Sequence, residues 1–145
     1  VQIATVEVDP DTGQVRLIDM VAAQDVGRAL NPMLVEGQLE GGAIQSAGFG
    51  MMEEQCYDDT GKLLNPNLLD YAIPTAMDVP QVKSELVEVP CELGPYGAKG
   101  VGEPPIIPGG AAIANAVLDA VGAQVTDLPM TPERVVAAMR RQGRR

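Results

Sequence analysis

The stretch GPYGAKGVGEPPIIPGG, from Gly94 to Gly110, places six glycines and four prolines within seventeen residues. Glycine permits close backbone approach and unusual dihedral angles, whereas proline fixes φ and removes a hydrogen-bond donor. Together they predict a rigid, non-repetitive loop, which either lies against a ligand or turns a corner. The loop contains one base, Lys99, and one acid, Glu103.

The glycine pattern of this loop matches neither common phosphate-binding motif. GAKGVG has the form G-x-x-G-x-G, which differs from the dinucleotide fingerprint and lacks the GK[ST] end of a P-loop. Its backbone N–H groups can still bind an anion or a polar ligand. Because the chain has no histidine, an acid–base catalyst must be a carboxylate, Lys, Tyr or Cys. Glu103, on the stiff loop, is our candidate, and a solvated surface charge is the alternative.

The length and composition predict one domain with an aliphatic core, and a strand hairpin followed by helices and a later strand suggests an α+β fold. The chain has 145 residues, of which 46% are apolar and only 3% aromatic. Its net charge of −10 argues against a nucleic-acid partner. We find no unbroken apolar run of the roughly 18 or more residues that a membrane span needs and no signal peptide, so we expect no membrane partner and a cytoplasmic location. Because the chain opens with Val1 in strand-like sequence, we expect a fragment of a longer polypeptide.

The basic residues concentrate at the C-terminal end. All acidic residues lie at or before Glu133, and half of the ten bases follow it: Arg134, Arg140, Arg141, Arg144 and Arg145. Cations suit the C-terminal pole of a helix dipole, so we interpret these arginines as a solvated helix end, with a docking tail for another subunit as the alternative. Cys56 and Cys91 match no zinc or iron–sulfur spacing, and we expect them to be reduced.

Three strands and two of the helices follow from local patterns. Residues 2–8 and 15–26 alternate in polarity around the turn sequence DPDTGQ, which predicts a β-hairpin, and residues 82–89 predict a third strand. The nearly all-apolar residues 111–122 predict a buried helix that ends at Gly122. Thr131 and Pro132 are typical of the first positions of a last helix. Residues 63–81, which contain three prolines, predict an extended loop.

Residues 33–55 have helical periodicity but contain five glycines. Each glycine weakens an exposed helix by about 1 kcal/mol relative to alanine, so the helix needs close approach by a ligand or another backbone. Gln38 and Gln45 are seven residues apart and therefore share one face of this helix, with Gly41 and Gly42 between them. Tight helix packing and ligand binding are both open at this point.

The sequence resembles the molybdenum hydroxylases, the family of xanthine dehydrogenase and aldehyde oxidase. GAKGVGEPP is similar to the family's active-site motif, and DVGRALNPMLVEGQLEGGAIQSAGFGMMEE is similar to its Gly-Gln-x-x-Gly segment. LLNPNLLDYAIPTAMDVP and GGAAIANAVLDAVGAQVTDLPMTPERV resemble the following stretch and the C-terminus. The resemblance covers nearly the whole chain. Residues 1–145 are similar to the C-terminal portion of the family's molybdenum-cofactor-binding domain.

The resemblance implies a reaction and a set of roles. The reaction is hydroxylation of a heteroaromatic (purine-like or nicotinate-like) or aldehyde carbon with water-derived oxygen, and Glu103 is the general base. Gln38, Gln45 and the backbone of Lys99, Gly100, Val101 and Gly102 bind a molybdopterin-type cofactor, in its plain or cytosine dinucleotide form. The pterin holds the molybdenum, so no metal ligand comes from the chain. Partners are a small-molecule substrate, the rest of the subunit, and subunits or domains carrying [2Fe–2S] clusters and FAD.

Two other functions stay open at the level of sequence. A non-catalytic cofactor-binding or subunit-interaction module would keep the fold and lose the chemistry, although the acid at Glu103 is present. A separate acidic domain that binds an anion at the Gly94–Gly110 loop is the third interpretation.

Overall fold

A computed structural model describes residues 1–143, and its centre is a three-stranded mixed sheet in the order β1-β2-β3. The strands are β1 (Gln2–Val8), β2 (Val15–Asp25) and β3 (Val82–Val87), with β1 antiparallel and β3 parallel to β2. The α-helices are α1 (Pro32–Met51), α2 (Gly109–Val121) and α3 (Pro132–Gln142). This arrangement confirms the predicted α+β class, the hairpin and the third strand.

The hairpin brings the beginning of β1 beside the end of β2. Gln2 pairs with Ala22, and Val8 pairs with Val15 at the other end. The turn between them is closed by Asp9, whose carboxylate accepts from the Asp11 N–H at 2.9 Å. That hydrogen bond is the main reason that the pKa of Asp9 lies below its ordinary value. The side of the sheet that faces the helices contributes buried side chains from β2: Leu17, Met20 and Ala22.

Helix α1 begins with a typical capping sequence, Asn31–Pro32. The Asn31 side chain accepts from the Leu34 N–H at 3.2 Å, and Pro32 occupies the first helical position, where no donor is needed. The buried stripe of the helix consists of small or aliphatic side chains at spacings of three and four: Leu39, Ala43, Ser46 and Ala47. The helix ends at Met51, four residues before the predicted end.

Helix α2 is buried along one face only, so the prediction of a buried helix is correct for that face and wrong for the rest. Ile113 and Val117 are fully buried in the core, whereas Leu118 on another face is 39% exposed. The helix packs against β1 and α1 on one side only. The face left at the surface is mixed in polarity, because Asn115 and Asp119 are exposed together with Leu118 and alanines.

The stretch Pro104–Val121 is long and apolar enough to cross a membrane by length and composition alone. It contains a one-turn 3-10 helix as well as α2, and α2 by itself has 13 residues, or about 20 Å. Two of its side chains, Ile113 and Val117, belong to the core. This stretch is weak support for a membrane span, because core helices share the same composition.

Helix α3 has the predicted cap but a different environment for its first arginine. Thr131 Oγ1 accepts from the Arg134 N–H. The Arg134 guanidinium donates to Glu54 Oε1 at 2.7 Å and to the Pro129 carbonyl at 2.9 Å. Arg134 thus ties α3 to the segment after α1, and its assignment to a solvated helix end was wrong. Arg140 and Arg141 do lie exposed in the last turn, and Arg144 and Arg145 lie outside the described residues.

The segment between α1 and β3 is the predicted extended loop. Between Met52 and Gln81 it contains turns and one isolated bridge, Tyr57 with Leu63, and neither a helix nor a strand. The Tyr71 hydroxyl donates to Glu53 Oε2 at 2.7 Å, which holds the middle of this segment against the end of α1. That carboxylate is also the main reason that the pKa of Tyr71 lies above its ordinary value.

The connection from β2 to α1 is joined to the glycine–proline loop by backbone hydrogen bonds. Gly27 forms a bridge with Ala98, the Arg28 N–H donates to Gly97 O at 2.8 Å, and the Lys99 N–H donates to Val26 O at 3.0 Å. Gly27 has φ +65°, and a Cβ there would lie 2.4 Å from Gly97 O. Only glycine allows the two segments to approach this closely.

Asp25, the last residue of β2, reinforces this junction with its side chain. Its carboxylate accepts from the Gly27 N–H at 2.9 Å and from Lys99 Nζ at 2.6 Å. A longer contact of 3.4 Å joins it to the N–H of Val89, beyond β3. The Lys99 ammonium, and after it the Gly27 N–H, hold the pKa of the Asp25 carboxyl below its ordinary value of 3.8. One carboxylate thus connects three segments that are distant in sequence.

Three glycines of α1 differ in what surrounds the position of their missing Cβ atoms. A Cβ at Gly42 would lie 2.6 Å from Pro105 Cβ, so the helix and the glycine–proline loop touch there. No atom lies within 4 Å of the corresponding position at Gly37 or Gly41. Close packing therefore explains Gly42, and it does not explain the other two glycines.

We expect Gly42→Ala to destabilise the protein, because the new methyl group would overlap Pro105. Overpacking of this kind costs about 1–3 kcal/mol of unfolding free energy. Gly37→Ala is the matched control, since alanine favours the helix and meets no atom of the described chain. Chemical denaturation of the two variants in the intact protein makes the comparison, and equal stabilities would show that Pro105 yields to the added methyl group.

We also expect Asp25→Asn to lower the melting temperature, with a defined dependence on pH. The pKa of Asp25 is lower in the folded than in the unfolded chain. Its contribution to stability is therefore complete above the ordinary value of 3.8, and it is lost as the pH falls through the lowered value. The difference from wild type should accordingly be present at neutral pH and vanish in acid.

The control for this experiment is Asp19→Asn. Asp19 lies on the same strand, is 39% exposed like Asp25, and pairs with Lys83 at 2.9 Å. Exposed ion pairs contribute little to stability, so this variant should melt close to wild type. If both variants lost the same stability, the contacts of Asp25 to the backbone would carry no special weight.

Candidate functional site

A groove lies where the connection from β2 to α1 meets the glycine–proline loop. Its volume is about 240 Å³. The polar side chains in its lining are Arg28, Asn31, Gln38 and Lys99, and apolar groups complete the wall. The first turns of α1 form one side, and residues 98–101 form the other. Elements far apart in the sequence therefore converge on one concave surface.

The groove brings together several of the predicted cofactor-binding residues. Gln38, Lys99 and Val101 line it. Gly102 is next to them, since a Cβ at Gly102 would lie 3.8 Å from Gln38 Oε1. Gly100 is exposed, and no atom lies within 4 Å of its missing Cβ. The backbone of the loop can therefore approach a ligand closely on this side.

Two of the predicted residues have a more restricted position than expected. The Lys99 N–H already donates to Val26 O, and its ammonium is paired with Asp25. Of the predicted backbone contacts from Lys99, one through its N–H is therefore not free for a ligand. Gln45 lies two turns beyond Gln38 on α1 and is exposed outside the groove lining. Gln38 is thus the glutamine that the fold places in the groove.

Glu103 lies directly after the loop residues that border the groove. Its carbonyl accepts from the Ile106 N–H at 3.0 Å, which closes the 3-10 turn Pro104–Ile106. The Glu103 residue itself is exposed. Glu103 is not among the residues that line the groove, so a molecule bound there would have to extend past Gly102 to meet its carboxylate.

The wall of the groove is mostly apolar with a few polar groups, which suits a flat heterocyclic cofactor. The Gln38 amide can donate and accept hydrogen bonds, as recognition of a pterin ring requires. Gly100 and Gly102 leave the adjacent wall without side chains. Typical ligand pockets measure about 300–1,000 Å³, so this groove supplies only part of a complete enclosure.

Within residues 1–143, no group of three or more His, Cys, Asp or Glu side chains is arranged to hold a metal ion. Cys56 is exposed and Cys91 is half-buried, and both are free thiols. The polar groups that the groove itself offers are amide, guanidinium, ammonium and backbone groups.

Sequence analysis missed two residues of this region, Asp25 and Arg28. Asp25 ends a strand, and its side chain positions Lys99 rather than lying in solvent. Arg28 follows the positive-φ Gly27 and lines the groove. The one available signal was DVG, an acid that lies two residues before a glycine at the end of a strand, which is typical of a side-chain hydrogen bond to the turn.

Comparisons with known proteins identify the family of this chain. The Molybdopterin cofactor-binding domain family matches residues 1–80. The xanthine dehydrogenase molybdenum-binding subunit of Escherichia coli O157:H7 is 48% identical over 112 residues, which cover 77% of this chain and 15% of that protein. The nicotine 6-hydroxylase large subunit of Paenarthrobacter nicotinovorans is 42% identical over 137 residues, 92% of this chain and 17% of that protein.

A solved structure shows the same fold. Quinoline 2-oxidoreductase from Pseudomonas putida 86 superposes with a TM-score of 0.87 at 40% sequence identity, covering 93% of this chain and 18% of that one. The chain thus spans less than a fifth of the length of these relatives. The family match over more than half of the chain, together with these identities, shows that the chain belongs to the molybdopterin cofactor-binding domain family of the molybdenum hydroxylases.

Proposed function

We propose that residues 1–145 are the C-terminal portion of the cofactor-binding domain of a molybdenum hydroxylase subunit, and that Glu103 is its general base. The observation that carries this proposal is the position of Glu103, directly after the loop that closes the groove containing Gln38. The proposed reaction is hydroxylation of a heteroaromatic or aldehyde carbon with oxygen derived from water.

The exposed apolar surface supports the assignment to a larger subunit. Leu69, Met77 and Leu93 are each more than 90% exposed, and Ile107 is 79% exposed beside the site loop. Extensive apolar exposure marks an interaction surface. The proposed occupant is the remainder of the same subunit, which would also complete the enclosure of the cofactor.

In the proposed enzyme, Gln38 and the backbone from Gly100 to Gly102 hold a molybdopterin-type cofactor. When bound, the cofactor supplies two-electron redox chemistry at its molybdenum. Gln38 contributes hydrogen bonds to the ring system, and the glycines allow the ring to approach the backbone. Lys99 acts through its pairing with Asp25, which fixes the loop, and Gln45 contributes at most from outside the groove.

Glu103 moves the proton in this scheme. An ionised carboxylate beside the bound cofactor accepts a proton from the water-derived oxygen nucleophile. The prolines at 104 and 105 keep the following backbone from rearranging, because φ is fixed at both. The acid is thus presented by a turn that resists movement.

The substrate class and the partners are inferred from the relatives. Two of the compared proteins are named for nicotine and quinoline, which are heteroaromatic, and another is an aldehyde oxidoreductase from Desulfovibrio gigas. A heteroaromatic substrate is the first choice. Subunits or domains carrying [2Fe–2S] clusters and FAD would accept the electrons, the cofactor would have the plain or cytosine dinucleotide form, and the enzyme would be cytoplasmic.

We expect Glu103→Gln to stop hydroxylation while leaving the molybdenum content of the intact enzyme near wild type. Glutamine keeps the size of the side chain but cannot accept the proton, and removal of a general base costs about 10²–10⁴-fold in rate. Stopped-flow reduction of the enzyme by substrate measures the step directly. Glu92→Gln, an exposed acid of the same loop region, is the control and should react like wild type.

A Glu103→Gln enzyme that is reduced within a few-fold of the wild-type rate would favour the second candidate function, a non-catalytic cofactor-binding or subunit-interaction module. The loop would then only complete the cofactor pocket.

We expect Gln38→Ala to lower the molybdenum content of the purified enzyme more than its melting temperature. A buried polar group of the cofactor that loses its hydrogen-bond partner costs about 1–3 kcal/mol. Gln124→Ala, an exposed glutamine between α2 and α3, is the control for metal content. Full molybdenum with a lowered melting temperature would instead assign Gln38 to helix packing.

A further inference from the structure

The first residue of β1, Gln2, contacts the turn that follows Glu103. We infer that Gln2 is a positioning residue for Glu103: its side-chain amide holds the Pro104–Ile106 turn and thereby the direction of the acid. The inference rests on the proposed role of Glu103 as general base. Gln2 lies 101 positions before Glu103 in the sequence and is not among the residues that line the groove.

The contact is one short hydrogen bond. Gln2 Nε2 donates to the carbonyl of Pro105 at 2.6 Å, in a partly buried position. Pro104 and Pro105 have no N–H group, so the backbone at the start of this turn can form hydrogen bonds only through its carbonyls. The Glu103 carbonyl is used within the turn by the Ile106 N–H. Gln2 therefore supplies a side-chain anchor that the proline pair cannot provide for itself.

Helix α1 closes the turn from another side. Pro105 is buried, and its ring packs where a Cβ of Gly42 would lie. The turn is thus held between β1, through a hydrogen bond, and α1, through contact. A displacement of Pro105 requires the loss of the hydrogen bond to Gln2, because α1 blocks movement towards the helix.

The orientation of the Gln2 amide follows from its surroundings. The Pro105 carbonyl can only accept, so the nitrogen of the amide must face it. The oxygen, Gln2 Oε1, is buried and accepts no hydrogen bond from any described residue. A cavity of about 20 Å³, lined among others by Gln2, Gln24 and Leu39, lies beside it. That volume is enough for one water molecule, the usual partner of such an oxygen.

The Gln2 amide also occupies space that a side chain at position 109 would fill. A Cβ at Gly109 would lie 2.6 Å from Gln2 Oε1 and 2.3 Å from Ser46 Oγ. Ser46 Oγ in turn accepts from the Gly110 N–H at 3.0 Å. The end of the glycine–proline loop and the start of α2 are therefore shaped around Gln2 and Ser46.

The test is the variant Gln2→Met in the intact enzyme. Methionine has a similar volume and removes the donor. We expect the rate of enzyme reduction by substrate to fall about tenfold, as the loss of one hydrogen bond allows, with KM and molybdenum content unchanged. Amide hydrogen exchange at Ile106 and Ile107 should become faster, which reports the loosened turn independently of activity. Gln14→Met, an exposed glutamine at the opposite end of the hairpin, should change neither.

A second variant, Gln2→Glu, tests the inference if Gln2→Met fails to fold. Gln2→Glu keeps the shape and one acceptor oxygen but, when ionised, cannot donate to Pro105, so it should show the same two effects. Wild-type rate and wild-type exchange in either loaded variant would overturn the inference. Failure of both variants to fold or to retain molybdenum would also overturn it, because Gln2 would then be a core residue.

The exchange measurement separates this inference from the proposed function. If Glu103→Gln is active, the proposed base is wrong whatever Gln2 does. If Glu103→Gln is inactive and Gln2→Met leaves exchange unchanged, the base stands and the positioning role fails.

Discussion

The carboxylate of Asp25 is the constraint on which the site depends. It accepts from the Gly27 N–H and from Lys99 Nζ, and thereby joins the end of β2 to the glycine–proline loop. Without this junction, the first half of the loop would have only backbone bridges to hold it against the start of α1. The groove exists because these two segments are fixed at a short distance, and Gly27 is the residue that permits the distance.

The second half of the loop is held from the neighbouring strand. Because β1 and β2 are antiparallel, Gln2 at the start of β1 lies at the same end of the sheet as the last residues of β2. Asp25 contacts the loop at Lys99, and Gln2 contacts it at Pro105, so Glu103 lies between two anchors that belong to one hairpin. The end of a rigid sheet is a suitable support for an acid that must meet a bound reactant, since small displacements of a catalytic group cost large factors in rate.

The sequence leaves two explanations open for the glycines of α1, tight packing and ligand binding, and the structure shows packing for only some of them. Gly42 serves packing against Pro105, and Gly50 approaches Gly110 and Ile113. Gly37 and Gly41 border open space on the described surface, beside or near Gln38. Close packing therefore explains only some of the glycines in this helix.

The sequence by itself determined the hairpin, the third strand, the cap of α3 and the irregular loop, because each depends on local turn, cap and alternation signals. It also placed Glu103 and Gln38 in recognisable motifs. The tertiary structure alone decided that Gln45 lies outside the groove, that Arg134 binds Glu54 and that α2 keeps one face exposed. It also decided the roles of Asp25 and Gln2, whose partners lie 74 and 103 positions away in the chain. Hydrogen bonds of that span leave no periodic trace in a single sequence.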